Sequence, residues 1–411
     1  MNNKGALLIL CILLLFLIAI PSAFASSDFN SSTTDDDPGS NYNNAVVEYS
    51  GNLESNYNNT IVQDTINAGS DFSSLNEAIS SASNGTVINL TGNITESDGE
   101  ASTFSSGITI NGKNITIEGN GFTISASNKN MIFTVNSGSV LTLNNVIMAN
   151  GYSSGYCAGI SNVGTLIVNN STFINNTAYG SAAIDSTGVI LINNSNFINN
   201  TTSSGKDCGA ISNVDNNAYA TITNTNFIGN SASRNGGAIK NQNNNRLYIE
   251  NCTFIGNHAS GNSKGSYGGA IYSWDNANIV IVNSLFMNNY AGSNVVSGAK
   301  GGAIYISAGN AGGVSTANIT RSKFINNQVN GTSSSLQGNG FFLERSNSTI
   351  NYNIIINNNT NNIVYASSEK GNIDYNYWGD KDNFTAISNE IVKDWAKLTL
   401  SPNKNIVLVN E

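Results

Sequence analysis

Asn170-Ser171-Thr172-Phe173-Ile174-Asn175-Asn176 returns one unit later as Asn194-Ser195-Asn196-Phe197-Ile198-Asn199-Asn200. The same segment recurs with phenylalanine at 227, 254, 286 and 324, and in degenerate form as Ile355-Ile356-Asn357-Asn358. Five residues before each phenylalanine stands an aliphatic residue: Val168, Ile192, Ile222, Ile249, Ile281 and Ile319. A second segment precedes each copy: Ala158-Gly159-Ile160, Ala182-Ala183-Ile184, Gly209-Ala210-Ile211, then Gly-Gly-Ala-Ile ending at Ile239, Ile271 and Ile304. Spacings between phenylalanines are 24, 30, 27, 32 and 38 residues, so offsets inside a unit are fixed while its length is not. Strands and one corner that keep their length while other connections bulge are what a stacked coil produces.

Short runs with period two, such as Ile115-Thr116-Ile117, Phe122-Thr123-Ile124 and Leu141-Thr142-Leu143, extend the strand pattern back to about residue 86. The expected fold is all-β: a parallel β-helix of about three strands per coil over residues 86–378. Coils then stack at ~4.8 Å, and like residues pile up. Phe173, Phe197, Phe227, Phe254, Phe286 and Phe324 form an internal ladder on this reading. Asn recurs at the corners because it tolerates left-handed backbone and its amide can bond along a stack.

Residues 1–25 read as a secretory signal, with Lys4, an apolar run from Ala6 to Ile20, and Ala23-Phe24-Ala25 ahead of the cleavage point. Residues 26–60 are a polar leader containing Asp35-Asp36-Asp37, and 61–85 form an N-terminal cap. In that cap Phe72, Leu75, Ile79 and Ala82 make one apolar helical stripe. Ser74 to Glu77 fits a capping box and Asn84-Gly85 a C-terminal stop. The helix is expected to lid the first open coil. Residues 379–411 form a C-terminal cap or tail without an apolar anchor.

The paired Gly-Gly-Ala-Ile and Phe-Ile-Asn-Asn segments resemble the repeats of chlamydial polymorphic outer-membrane proteins. The wider pattern resembles the adhesin-like right-handed parallel β-helix proteins of methanogenic archaea. That second likeness takes in Asp71 to Ile79 as capping helix, Gly107 to Ile110 and Ile117 to Phe122 as opening coils, and Asn376-Tyr377-Trp378-Gly379-Asp380 near the end. It implies a right-handed, pectin-lyase-like coil at the cell surface or secreted, mediating attachment. Unlike the chlamydial group, the sequence contains no C-terminal barrel pattern.

Composition narrows the chemistry. With 17 Lys+Arg against 26 Asp+Glu the net charge is -9, which disfavours nucleic acid as a partner. His258 is the one histidine in 411 residues, so imidazole metal sites and Ser-His or Cys-His triads are hard to assemble. No two aspartates among Asp185, Asp207, Asp215 and Asp275 fall at equivalent positions of adjacent coils, as glycoside hydrolysis or calcium-assisted elimination would want. Asp374, Asp380 and Asp382 read as turn residues beside an aromatic plug at Trp378 rather than as a calcium site. The expectation is a non-catalytic protein with no cofactor and no metal, whose partners are glycans or proteins on another cell. A polysaccharide lyase or hydrolase and a purely structural envelope protein are the alternatives.

One outward column stands out. The residue after each repeat isoleucine runs Ser161, Asp185, Ser212, Lys240, Tyr272, Tyr305 and, after Phe341, Phe342. Tyr272, Tyr305 and Phe342, with Trp274 on the same face, make an aromatic ladder. It is either a flat ligand-binding face or a set of rings stacked under the long segments before Ile271, Ile304 and Phe341. Cys157 and Cys208 share a register two coils apart, ~9.6 Å by strand spacing, too far to bridge. Together with Cys252 they are expected to stay reduced.

Overall fold

The computed structural model describes residues 64–379, apart from short breaks at 204, 216–217, 262–264, 294, 296, 310–311, 332–335, 357–362 and 368–370, together with 396–399 and 407–410. The expected signal at 1–25, the leader at 26–60 and the residues Asp380 and Asp382 lie outside this range, as does most of the 379–411 tail.

One coil shows how the sequence dictates the path. Ile160–Asn162 lies in a first sheet, Thr165–Asn169 in a second, Thr172–Ile174 in a third and Thr177–Ala178 in a fourth, after which Ile184–Ser186 restarts the first. We number these sheets I to IV. They hold ten, eleven, ten and seven strands, and every ladder within them is parallel. The all-β parallel solenoid is therefore as the repeat predicts. Sheet IV adds a fourth strand to the three expected per coil. It escapes a period-two search because its strands are two to four residues long and bury mostly small side chains, such as Ala178, Ala232, Ala259 and Ala291.

Register is in phase over the whole stack. Phe173 pairs with Phe197, Phe197 with Phe227, Phe227 with Phe254, Phe254 with Phe286, and Phe286 with Phe324, and Ile355 continues the column. The rings are fully buried, with centroids 4.5–5.0 Å apart and planes within 9° of parallel. Strand spacing sets that distance, which falls within the favourable range for offset rings.

The two asparagines after each phenylalanine divide the labour. The first makes the corner: Asn175, Asn199, Asn288 and Asn326 have φ of 53–55°, and Gly229 and Gly256 take the same place in the other two coils. The second points inward. Asn176, Asn200, Asn230, Asn257, Asn289 and Asn327 are fully buried, and from Asn176 to Asn289 each Nδ2 donates to the Oδ1 of the next at 2.9 Å. From Asn200 to Asn327, Nδ2 also donates to the main-chain oxygen of the phenylalanine one coil below, while Oδ1 accepts the backbone N–H of the asparagine beneath. Burial of so many amides costs little because both ends are bonded. The other corner, between sheets II and III, uses left-handed Asn145, Asn170, Asn194, Asn224, Asn251 and Asn283.

At the N-terminal end the helix spans Phe72–Ser81 and buries Phe72, Leu75, Ala78 and Ile79 against the first coil. Its cap differs from the expected one. Asp71 is the N-cap and Ser74 its partner, so the box lies three residues earlier than Ser74 to Glu77. Aspartate accepts the Ser74 N–H at 2.9 Å, and this start lets Phe72 enter the buried stripe. The helix stops at Ser81 with Ala82 extended. Gly85, at φ 88°, belongs instead to the turn leading into Val87–Leu90. Trp378 is buried near the far end, as expected of a plug.

Candidate functional site

The outward column of sheet I assembles as the register requires: Lys240 against Tyr272, Tyr272 against Tyr305, Tyr305 against Phe342. Tyr365, one coil on, completes it. Centroids are 5.2 Å apart for Tyr272 and Tyr305, 4.8 Å for Tyr305 and Phe342, and 4.9 Å for Phe342 and Tyr365. Trp274 packs against the same cluster.

These rings are nonetheless covered. Tyr272, Tyr305 and Phe342 are 7%, 6% and 1% exposed, because the segments before Ile271 and Ile304 fold over them. There Ser266–Tyr267 and Ala299–Lys300 pair as two short parallel strands. The Tyr267 ring lies 5.0 Å from that of Tyr305, and the Lys300 ammonium sits 4.5 Å from the Phe342 ring and 5.7 Å from that of Tyr267. Burial pushes the Tyr272 and Tyr305 hydroxyls well above the usual phenol range. Of the two readings of the aromatic ladder, the structure gives the stack beneath long segments rather than an open face.

Below the rings the same flank turns ionic. The Asp207 carboxylate lies 3.2 Å from Lys240 Nζ and 3.8 Å from Arg234 Nε, the acid from one coil and both cations from the next. Asp185 lies close by. Desolvation raises its pKa, opposed by hydrogen bonds from Ser212 and Ser181 and by the Lys240 charge. Asp185 and Asp207 do not stand at equivalent positions of the repeat. One follows its repeat isoleucine by one residue and the other precedes the next by four, yet both belong to the same flank.

His258, on sheet IV, meets the Ser231 hydroxyl through Nε2 at 2.8 Å and stacks on Tyr290 at 5.5 Å. Burial lowers its pKa, which favours the neutral imidazole. Among the described residues no group of three or more His, Cys, Asp or Glu side chains converges, and no helix is long and apolar enough to cross a membrane. Tyr267 and Lys300 both stand four residues before a repeat isoleucine, a column legible from the repeat once that offset is followed. Tyr365 has no such signal, because its coil has lost the Gly-Gly-Ala-Ile segment. Compared with protein-family models and with curated proteins, the chain matches none of them.

Proposed function

We propose that the protein is an exported, non-catalytic display rod of the adhesin-like kind, freed of its signal after Ala25 and presenting its lateral segments to glycans or proteins of another cell. One observation carries the reading. Each rung of the buried asparagine ladder measures 2.9 Å whether 24, 30, 27, 32 or 38 residues separate its partners. The core is thus indifferent to the length of the segments between rungs, and any surplus chain is free to vary on the outside. A rigid core with variable lateral segments suits recognition, which concentrates on loops held by a scaffold.

The test is binding of the purified protein, starting at residue 26, to whole cells and to a panel of glycans. Substitutions on the segments between sheets IV and I should lower binding, while substitutions on the outer face of sheet III, at Asn226 or Lys323, should leave it unchanged. Absence of binding to every cell and glycan, or turnover of any polysaccharide in the panel, would sink the proposal.

A further inference from the structure

Successive coils place one ring or cation each along the flank between sheets IV and I: Tyr156, Tyr179, Lys206, Arg234, Tyr267 and Lys300. All six stand four or five residues before their repeat isoleucine. Backbone pairing ties these segments together with offsets of one residue, since Tyr267 pairs with Asn235, next to Arg234, and Cys157, next to Tyr156, pairs with Ser181, two residues after Tyr179. The Gly180 N–H donates to the Gly155 oxygen at 3.0 Å, Cys208 N–H to Asn235 oxygen at 2.8 Å, and Tyr267 pairs with Asn235 on one side and Lys300 on the other. Five coil steps at ~4.8 Å make a strip on the order of 24 Å long.

Contacts join some of these side chains. The Lys206 ammonium lies 4.8 Å from the centre of the Tyr179 ring, Arg234 and Lys240 share Asp207, and Lys300 covers Tyr267. Tyr156 is 75% and Tyr179 40% exposed, and the Arg234 side chain 36%, while the Asp207 side chain keeps only 16%. Two rings and Arg234 therefore meet solvent, while the Asp207 carboxylate and its partner Lys240, 16% and 19% exposed, lie deeper. No carboxylate pairs with Lys206 or Lys300 among the described residues. On a chain of net charge -9 this local excess of cations is not a by-product of composition.

We propose that this strip is a binding site for an anionic polysaccharide. Sugar rings lie on Tyr156 and Tyr179, and carboxylate or sulfate groups pair with Lys206, Arg234 and Lys300. The inference rests on the display-rod reading and adds to it a place and a ligand class. Tyrosine faces suit the apolar side of a pyranose. Paired cations beside them select charged over neutral chains, and the overall negative charge makes that attraction short-ranged, as screening by salt will reveal. The ring stack under Tyr267 and Lys300 holds the strip's upper end rigid, which limits the ordering cost of binding.

The experiment is affinity electrophoresis and calorimetry of the protein with polygalacturonate, with dextran as neutral comparator. Polygalacturonate should bind and dextran should not, with affinity falling as salt rises. Tyr179→Ala and Lys206→Gln should each weaken binding at least fivefold, Tyr179→Phe and Lys206→Arg should retain it, and circular dichroism should be unchanged throughout. Lys323→Gln, the same charge change on sheet III, is the control. Equal loss in Lys206→Gln and Lys323→Gln, or preference for dextran, would overturn the strip. Binding to cells without binding to polygalacturonate overturns the strip alone and leaves the display rod standing, whereas failure to bind cells and every glycan removes both.

Discussion

Asn230 Nδ2 donates to Asn257 Oδ1 at 2.9 Å, with neither side chain exposed to solvent. The same amide gives its other hydrogen to the Phe197 oxygen, and its Oδ1 receives both the backbone N–H and Nδ2 of Asn200. Four hydrogen bonds converge on one side chain in the middle of the stack.

Asn230→Ala leaves those partners buried and unpaired. A loss of about 3–5 kcal/mol is expected, since each stranded group costs roughly 1–3 kcal/mol. Asn230→Asp should be worse at neutral pH, because a carboxylate cannot donate to Phe197 or Asn257 and adds a buried charge. Urea unfolding of the two variants at pH 7 checks both magnitude and order. A change under about 1 kcal/mol for Asn230→Ala would show that the ladder does not bear on stability.

Gly268 and Cys208 hold the same register, three residues before Ile271 and Ile211, and both are left-handed, with φ of 67° and 77°. A Cβ on Gly268 would lie 2.1 Å from the Ile271 oxygen. Gly268→Ala should therefore cost more than the roughly 1–2 kcal/mol of left-handed strain alone. Cys208→Gly, which trades strain relief for a lost buried thiol, should stay within about 1 kcal/mol of the parent. Thermal denaturation of the pair measures the contrast.

Cys157, Cys208 and Cys252 are all free and buried. Burial pushes the Cys252 thiol up to about 12, and the other two well above the usual thiol range. Thiolate is the reactive form, so in the protein starting at residue 26, which lacks Cys11, a disulfide-exchange reagent at pH 8 should find almost no reactive thiol in the native state and three after unfolding without reductant. A titre of one would mean a disulfide and a different register.

Glu100 ties the helix start to the turn that follows the first coil, accepting from Ser73 N–H at 2.6 Å and Ser97 N–H at 2.8 Å. Desolvation opposes ionisation, but the hydrogen bonds from Ser73 and Ser97 prevail and bring its pKa down to about 2. A depressed acid adds stability above its unfolded value near 4.5, lost as pH falls from there toward 2. Glu100→Gln should flatten that part of the stability–pH curve while leaving the curve parallel to the parent above pH 6. An unchanged slope between pH 5 and 2 would remove this role.

The coil could be read from the sequence because stacking is a one-dimensional problem. Phe173, Phe197 and Phe227 had to coincide once their neighbours were offset alike, and the same bookkeeping placed Tyr272 over Lys240. It was less informative where structure is short or irregular: the two-residue strands of sheet IV carry no periodicity, and the helix cap turned on which of Asp71 and Ser74 the chain could place at the first turn.

What folding alone decided is which outward columns meet water. Alternation says that Tyr272, Tyr305 and Phe342 leave the core, but whether they stay bare depends on where the segments carrying Tyr267 and Lys300 come to lie. Their offset from the next isoleucine follows the repeat, but the length of the chain before them does not. The same holds for Tyr179 under Lys206 and for Asp207 beneath Arg234, contacts between side chains whose connecting chain varies in length from coil to coil. Periodic hydrophobic burial is local and additive, so it is written in residue order, whereas exposure is a property of everything that packs above a residue.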